Sequence, residues 1–285
     1  MKRILLLAAT ALLATPAVAH NMWIKPSATT VSGDEGWVTF DAAASTDVFV
    51  PDHQPLPPEA FRAYAPDGSE VKLENAMRGR FRSTFDLHLT QVGTWRVALE
   101  NGGIMGSYTL NGQAYRVGGR PGMRPGAPGA PAAPAGAPIF VPATPDFVAP
   151  AGATDVKLLL TANRNEVFVT LGKPSTIALS GKGLEMQPLT HPSDLVADTP
   201  ARFRFLVDGK PVAGLEVELT PEGRRFRNDQ GTLTLKTDAR GEIAVRWPGA
   251  GLYWIHASYS DDAAPRPGIT GRRFGYTSSV EVMAP

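Results

Sequence analysis

The stretch Phe85-Asp86-Leu87-His88-Leu89-Thr90-Gln91-Val92-Gly93-Thr94-Trp95-Arg96-Val97-Ala98-Leu99 decides the fold class. Phe85, Leu87 and Leu89 alternate with Asp86, His88 and Thr90, the two-residue period of a half-buried strand. Gly93 marks a turn, and Trp95, Val97 and Leu99 resume the same period. Upstream, Trp37-Val38-Thr39-Phe40 is another β-prone run, placed after the turn signal Ser32-Gly33-Asp34. Ala65-Pro66-Asp67-Gly68 has Pro and Gly where a tight turn wants them. Residues 23–116 show no sustained helical periodicity. Two further strands are expected at 156–160 and 166–171, with Asn163-Arg164-Asn165 as the connection between them.

A second β unit follows. Phe203, Phe205 and Val207 alternate ahead of the turn Asp208-Gly209, and Leu215, Val217 and Leu219 form the partner. Leu233 and Leu235 precede the turn at 237–241, which leads to Ile243, Val245 and Trp247. Tyr253-Trp254-Ile255-His256 and a last strand near 278–282 complete the series. Short strands at regular spacing indicate sandwiches. The expected fold is therefore all-β, with two β-sandwich domains, the second immunoglobulin-like or carboxypeptidase-regulatory-like. Residues 20–175 would form the first and 176–285 the second. Between residues 118 and 138, 18 of 21 positions are Gly, Ala or Pro. Such a segment buries too little apolar surface to offset its ordering entropy. It reads as a flexible insertion, about 118–153, within the first domain.

Composition narrows the function. With 28 basic and 27 acidic residues, bulk positive charge for nucleic acid is lacking. Hydrophobic residues at 43% supply a core. The absence of cysteine removes disulfides, thiolate metal sites and cysteine nucleophiles. No zincin helix, P-loop, serine elbow or dinucleotide fingerprint occurs, and no catalytic residue is assigned.

Lys2 and Arg3 precede an apolar run that Thr15-Pro16 breaks, and Ala17-Val18-Ala19 follows. This is the layout of a secretory signal, residues 1–19, cleaved after Ala19. No later stretch reaches membrane-spanning length, so a periplasmic chain without a transmembrane segment is expected. His20 then becomes the first residue, with a free amine beside its imidazole. Amine and Nδ1 can close a chelate ring on one ion, and one further imidazole would make a three-nitrogen site. Nitrogen donors suit nickel, cobalt, copper and zinc. An α-amino group has a reference pKa of about 7.7–8.0, so binding displaces a proton and weakens in acid.

The other histidines are His53, His88, His191 and His256. His53 lies in the stiff loop Pro51-Asp52-His53-Gln54-Pro55, where Asp52 can orient an imidazole. His191 enters the second unit in Thr190-His191-Pro192-Ser193-Asp194, able to cap that loop or to face the first unit. His88 and His256 read as strand-face residues. Trp23 is expected to bury and pin His20.

These residues resemble a periplasmic family of unknown function labelled as a component of cobalt/nickel transport. The resemblance rests on His20 and Trp23 with Pro26-Ser27-Ala28-Thr29, and on Ser32-Gly33, Trp37-Val38-Thr39, Asp41-Ala42-Ala43, Asp52-His53 and Pro55-Leu56. It continues in Phe168-Val169-Thr170, Gly172-Lys173-Pro174-Ser175, Ser180-Gly181-Lys182-Gly183-Leu184-Glu185, Thr190-His191-Pro192-Ser193-Asp194-Leu195 and Gly251-Leu252-Tyr253-Trp254. It implies a metal-linked, non-enzymatic role for His20, His53 and His191, with nickel or cobalt as the ion. Asp52 and Trp23 would stand behind these ligands. The implied partner is a TonB-dependent outer-membrane receptor or an inner-membrane transporter. Two other readings stay open: a carbohydrate- or protein-binding sandwich using Trp37, Trp95 and Trp254, and a copper oxidase built on a terminal histidine.

Overall fold

The computed structural model describes residues 20–118 and 136–285. The signal reading and most of the Gly/Ala/Pro-rich segment lie outside these residues. Among the described residues the chain is all-β, with only short 3-10 turns between strands. The alternation around Gly93 appears as the Ser83–Leu89 and Gly93–Leu110 strands. Phe85, Leu87, Leu89 and Val97 are completely buried.

Three sheets build two sandwiches. A small sheet joins Asn21–Pro26, Gly36–Ser45, Ser83–Leu89 and Glu74–Arg78, with Gln54–Pro55 at its side. It packs on a long sheet through Ile24, Phe40, Phe85, Trp95, Val97, Val167 and Val169. A third sheet of Leu184–Pro188, Pro200–Val207, Lys210–Pro211 and Glu242–Arg246 covers the other end of that long sheet. Phe203, Phe205, Trp247, Ile255 and Tyr276 fill the core there. The two sandwiches therefore share one eleven-stranded sheet.

The shared sheet corrects one expectation. Residues 154–171 form a single strand of 18 residues, Thr154–Leu171, not two strands with a connection. It pairs antiparallel with Gly93–Leu110 and parallel with Gly271–Val282. Asn163-Arg164-Asn165 sits in its middle, where Asn163 and Arg164 find partners across the sheets while the buried Asn165 amide has none among the described residues. Arg164 pairs with Glu185 and, at 3.1 Å, with Glu100. Next to it, buried Glu166 takes Arg96 at 3.0 Å and the Tyr276 hydroxyl at 2.8 Å. Burial pushes the Glu166 carboxyl up against the pull of Arg164 and Arg96. Polar residues thus cross the junction between two apolar cores.

The far ends of the two long strands carry a smaller cluster of Ile104, Tyr108, Val117, Leu158 and Ile269. Part of the expected insertion packs here: Phe147, Ala149 and Ala153 cover the cluster, and Ile139–Val141 pairs parallel with Gln113–Val117. The strands approach closely at Gly106, where a Cβ would stand 1.9 Å from the Lys157 carbonyl. Only glycine fits such contact.

Candidate functional site

Strand register explains how two distant histidines meet. Asn21–Pro26 pairs antiparallel with Gly36–Ser45, placing Asn21 opposite Ser45 and Met22 opposite Ala44. Gln54–Pro55 pairs with the same strand, placing Gln54 opposite Ala44. The two flanking strands therefore run in one direction and begin within one residue of the same level. His20 immediately precedes the first and His53 the second. Their rings stack with centroids 3.6 Å apart and planes 10° from parallel. Both side chains are exposed.

The loop between the paired strands is braced from several sides. Asn21 donates its amide N–H to the Thr46 carbonyl at 2.9 Å. Asp52 accepts the Thr46 backbone N–H at 3.0 Å, so this carboxylate closes the loop that carries His53. Val50 N–H bonds the Asp47 carbonyl at 3.2 Å. Phe49 takes a left-handed conformation, φ 62°, and is buried. A non-glycine residue in that region costs energy that its surroundings must offset. Phe49 meets Trp23 edge to face at 5.7 Å.

Trp23 is 1% exposed, as the sequence reading expects. Its Nε1 donates to Ser45 Oγ at 2.7 Å, and Ser45 Oγ donates to the Asp47 carbonyl at 2.6 Å. Trp254 of the second unit donates to the Met22 carbonyl at 3.0 Å. Trp23, Ala43, Val48, Phe49 and Trp254 form one apolar cluster. The strand behind His20 is thus held by both sandwiches, with Lys25 paired to Glu222 and Thr29 Oγ1 donating to Glu281 at 2.7 Å.

His191 is placed differently. Its Nδ1 is 2.7 Å from Ser193 Oγ and accepts Ser193 N–H at 3.2 Å. Its Nε2 is 3.0 Å from Thr94 Oγ1. It caps its own loop and faces the first unit, with both ring nitrogens engaged. Burial lowers its pKa, opposed by the Asp194 charge. Among the described residues no three His, Asp or Glu side chains gather as a metal cluster. His20 and His53 come together, and His191 is not gathered with them. His88 stacks on Trp37 with centroids 4.3 Å apart and lies 2.7 Å from Glu35. His256 stacks on Trp254 and lies 3.2 Å from Glu218. Of the three tryptophans weighed as contacts, Trp95 and Trp254 are buried and Trp37 is 52% exposed. Sequence reasoning missed Thr94 as the partner of His191, because the bond crosses 97 positions.

A family model described as a domain of unknown function (DUF4198) matches residues 17–261. A search of curated proteins finds no match. Among solved structures, the D0-D1 domain of Intimin is 12% identical, with a TM-score of 0.23 over 91% of this chain and 97% of that one. The human OSCAR ligand-binding domain is 13% identical, with a TM-score of 0.20 over 93% of this chain and 100% of that one. The mouse nectin-like molecule 4 ectodomain is 10% identical, with a TM-score of 0.20 over 94% and 65%. At such scores the strand topology itself carries the fold assignment. No helix among the described residues is long and apolar enough to cross a membrane.

Proposed function

The chain belongs to the DUF4198 family, and from that premise we propose that it is an exported periplasmic protein that binds a divalent transition metal, nickel or cobalt, as a carrier and not as an enzyme. The observation that carries this reading is the His20–His53 stack at 3.6 Å. Two exposed imidazoles on a braced scaffold can turn their nitrogens to one ion by side-chain rotation alone. Two imidazoles leave a divalent ion short of donors. Cleavage after Ala19 would add the His20 amine, which closes a chelate with its own imidazole. The donor set is then all nitrogen, suited to nickel, cobalt, copper and zinc. Asp52 and Trp23 serve by fixing the loop and the strand that present the two rings. The receiving partner would be a TonB-dependent receptor or an inner-membrane transporter.

The test is titration of the mature chain with Ni²⁺. One site is expected in the wild type, weakened at least about hundredfold in His53→Ala, equivalent to about 2.8 kcal/mol. Equal affinity in that variant would remove the reading.

A second reading has its own observation. Trp37 presents an exposed ring whose neighbour His88 is stacked and held by Glu35. A rigid exposed aromatic suits saccharide or protein contact, and Trp37→Ala tests it on a glycan array.

A further inference from the structure

A concave feature beside the loop that carries His53 has a chemistry that the metal reading does not use. A cleft of about 630 Å³ lies between Val48, Phe49 and Val50 on one side and residues 221–227 and 248–253 on the other. Phe49 and Val50 belong to the same loop that carries His53. The cleft and His53 therefore share one braced loop.

The cleft wall is cationic. Arg224, Arg225 and Arg227 line it together with a single acid, Glu222. Glu222 is already paired with Lys25. Arg227 is built into the turn. Its Nη1 donates to the Glu222 carbonyl at 2.7 Å, and its Nη2 to the Pro221 and Gln230 carbonyls at 2.8 and 3.1 Å. Gly223 and Gly231 leave room for it, since a Cβ on either would approach the guanidinium to 3.3 or 3.2 Å. Backbone carbonyls satisfy those donors, yet no carboxylate pairs with the Arg227 charge among the described residues. Its Nε is buried with no acceptor. Arg224 donates to the Arg227 carbonyl at 2.6 Å and lies 3.7 Å from Asp47. Arg225 is exposed and has no partner among the described residues. Phe226 beside it is 91% exposed.

A concave site with uncompensated guanidinium charge and one free planar fork fits a carboxylate-bearing anion. We infer that this cleft binds a small polycarboxylate, with Arg225 as its direct contact and Arg227 as the fixed charge behind it. Resting on the proposed metal reading, the polycarboxylate would be the chelator that accompanies the ion, held beside the loop that carries His53.

Isothermal titration of the mature chain with citrate, in metal-free buffer at physiological salt, tests this. Saturable one-to-one binding is expected, weakened at least about tenfold in Arg225→Ala. Arg225 is exposed, so the variant keeps its fold. Inorganic phosphate should bind more weakly, and His53→Ala should leave citrate binding unchanged. In the metal arm, the nickel–citrate complex should bind wild type more tightly than Arg225→Ala, while nickel chloride binds both alike. No citrate binding, equal citrate affinity in Arg225→Ala, or equal binding of phosphate would overturn the assignment. Citrate binding that persists while nickel fails to bind would sink the metal reading and leave the anion cleft standing.

Discussion

Two regions of this molecule gather titratable side chains from distant parts of the chain, and they do so in opposite ways. Around Glu166 the charges are matched and mostly buried: Arg96 and the Tyr276 hydroxyl take the carboxylate, and Arg164 is paired with buried Glu185 and exposed Glu100. Around His20 and His53 the rings are exposed and touch chiefly each other. The first arrangement joins two sandwiches through one sheet. The second is held in place from behind, by Trp23, Asp52 and Trp254, while its own nitrogens stay free to turn. A locked cluster serves architecture. An open cluster on a locked base is what ligand capture requires.

Four substitutions sharpen this contrast on one scale, the unfolding free energy from urea denaturation. Glu166→Ala should cost most, about 3–5 kcal/mol, because it strands buried positive charge and a buried hydroxyl. His191→Ala should cost about 1–3 kcal/mol, through the lost bonds to Thr94 and Ser193. Its loss also has a pH signature. Burial holds the folded His191 below its ordinary value of 6.5, so the unfolded chain takes up the proton first. That contribution is therefore full above about 6.5 and falls as the pH drops toward the lower folded value. The variant should lose stability less steeply between pH 7 and pH 5 than the wild type. An identical slope in both would show that His191 is not the titrating contact.

Trp23→Phe should cost about 1 kcal/mol, the loss of one buried bond to Ser45 with the packing largely kept. His53→Ala should change stability by no more than about 0.5 kcal/mol, as for an exposed side chain away from structural contacts. A loss of several kcal/mol there would erase the distinction between the open pair and the locked cluster.

Much of the fold is legible by alternation. Phe85, Leu87 and Leu89, then Trp95 and Val97, are buried where the period places them. The Asn163-Arg164-Asn165 triplet is where local reading fails. Its polarity looks like a turn because the partners of Arg164, Glu100 and Glu185, are far along the chain. Thr154–Leu171 is a continuous strand once those partners are in place. The histidine pair was half legible. Each residue stands out by its flanks, but their meeting depends on the register that sets Met22 and Gln54 opposite the same Ala44. The basic cleft had a signal that local patterning passes over, the run Arg224-Arg225-Phe226-Arg227 with an aromatic that no core position claims.

The proposed metal site needs a free amine at His20 to join two imidazoles on one ion. It is tested most directly by comparing Ni²⁺ affinity in two chains with identical folds, one starting at His20 and one carrying a single extra alanine ahead of it. The extra residue converts the amine to an amide and leaves both rings intact. Binding should fall at least about hundredfold in the extended chain, with unchanged urea midpoints. Equal affinity in the two chains would rule the His20 amine out as a ligand.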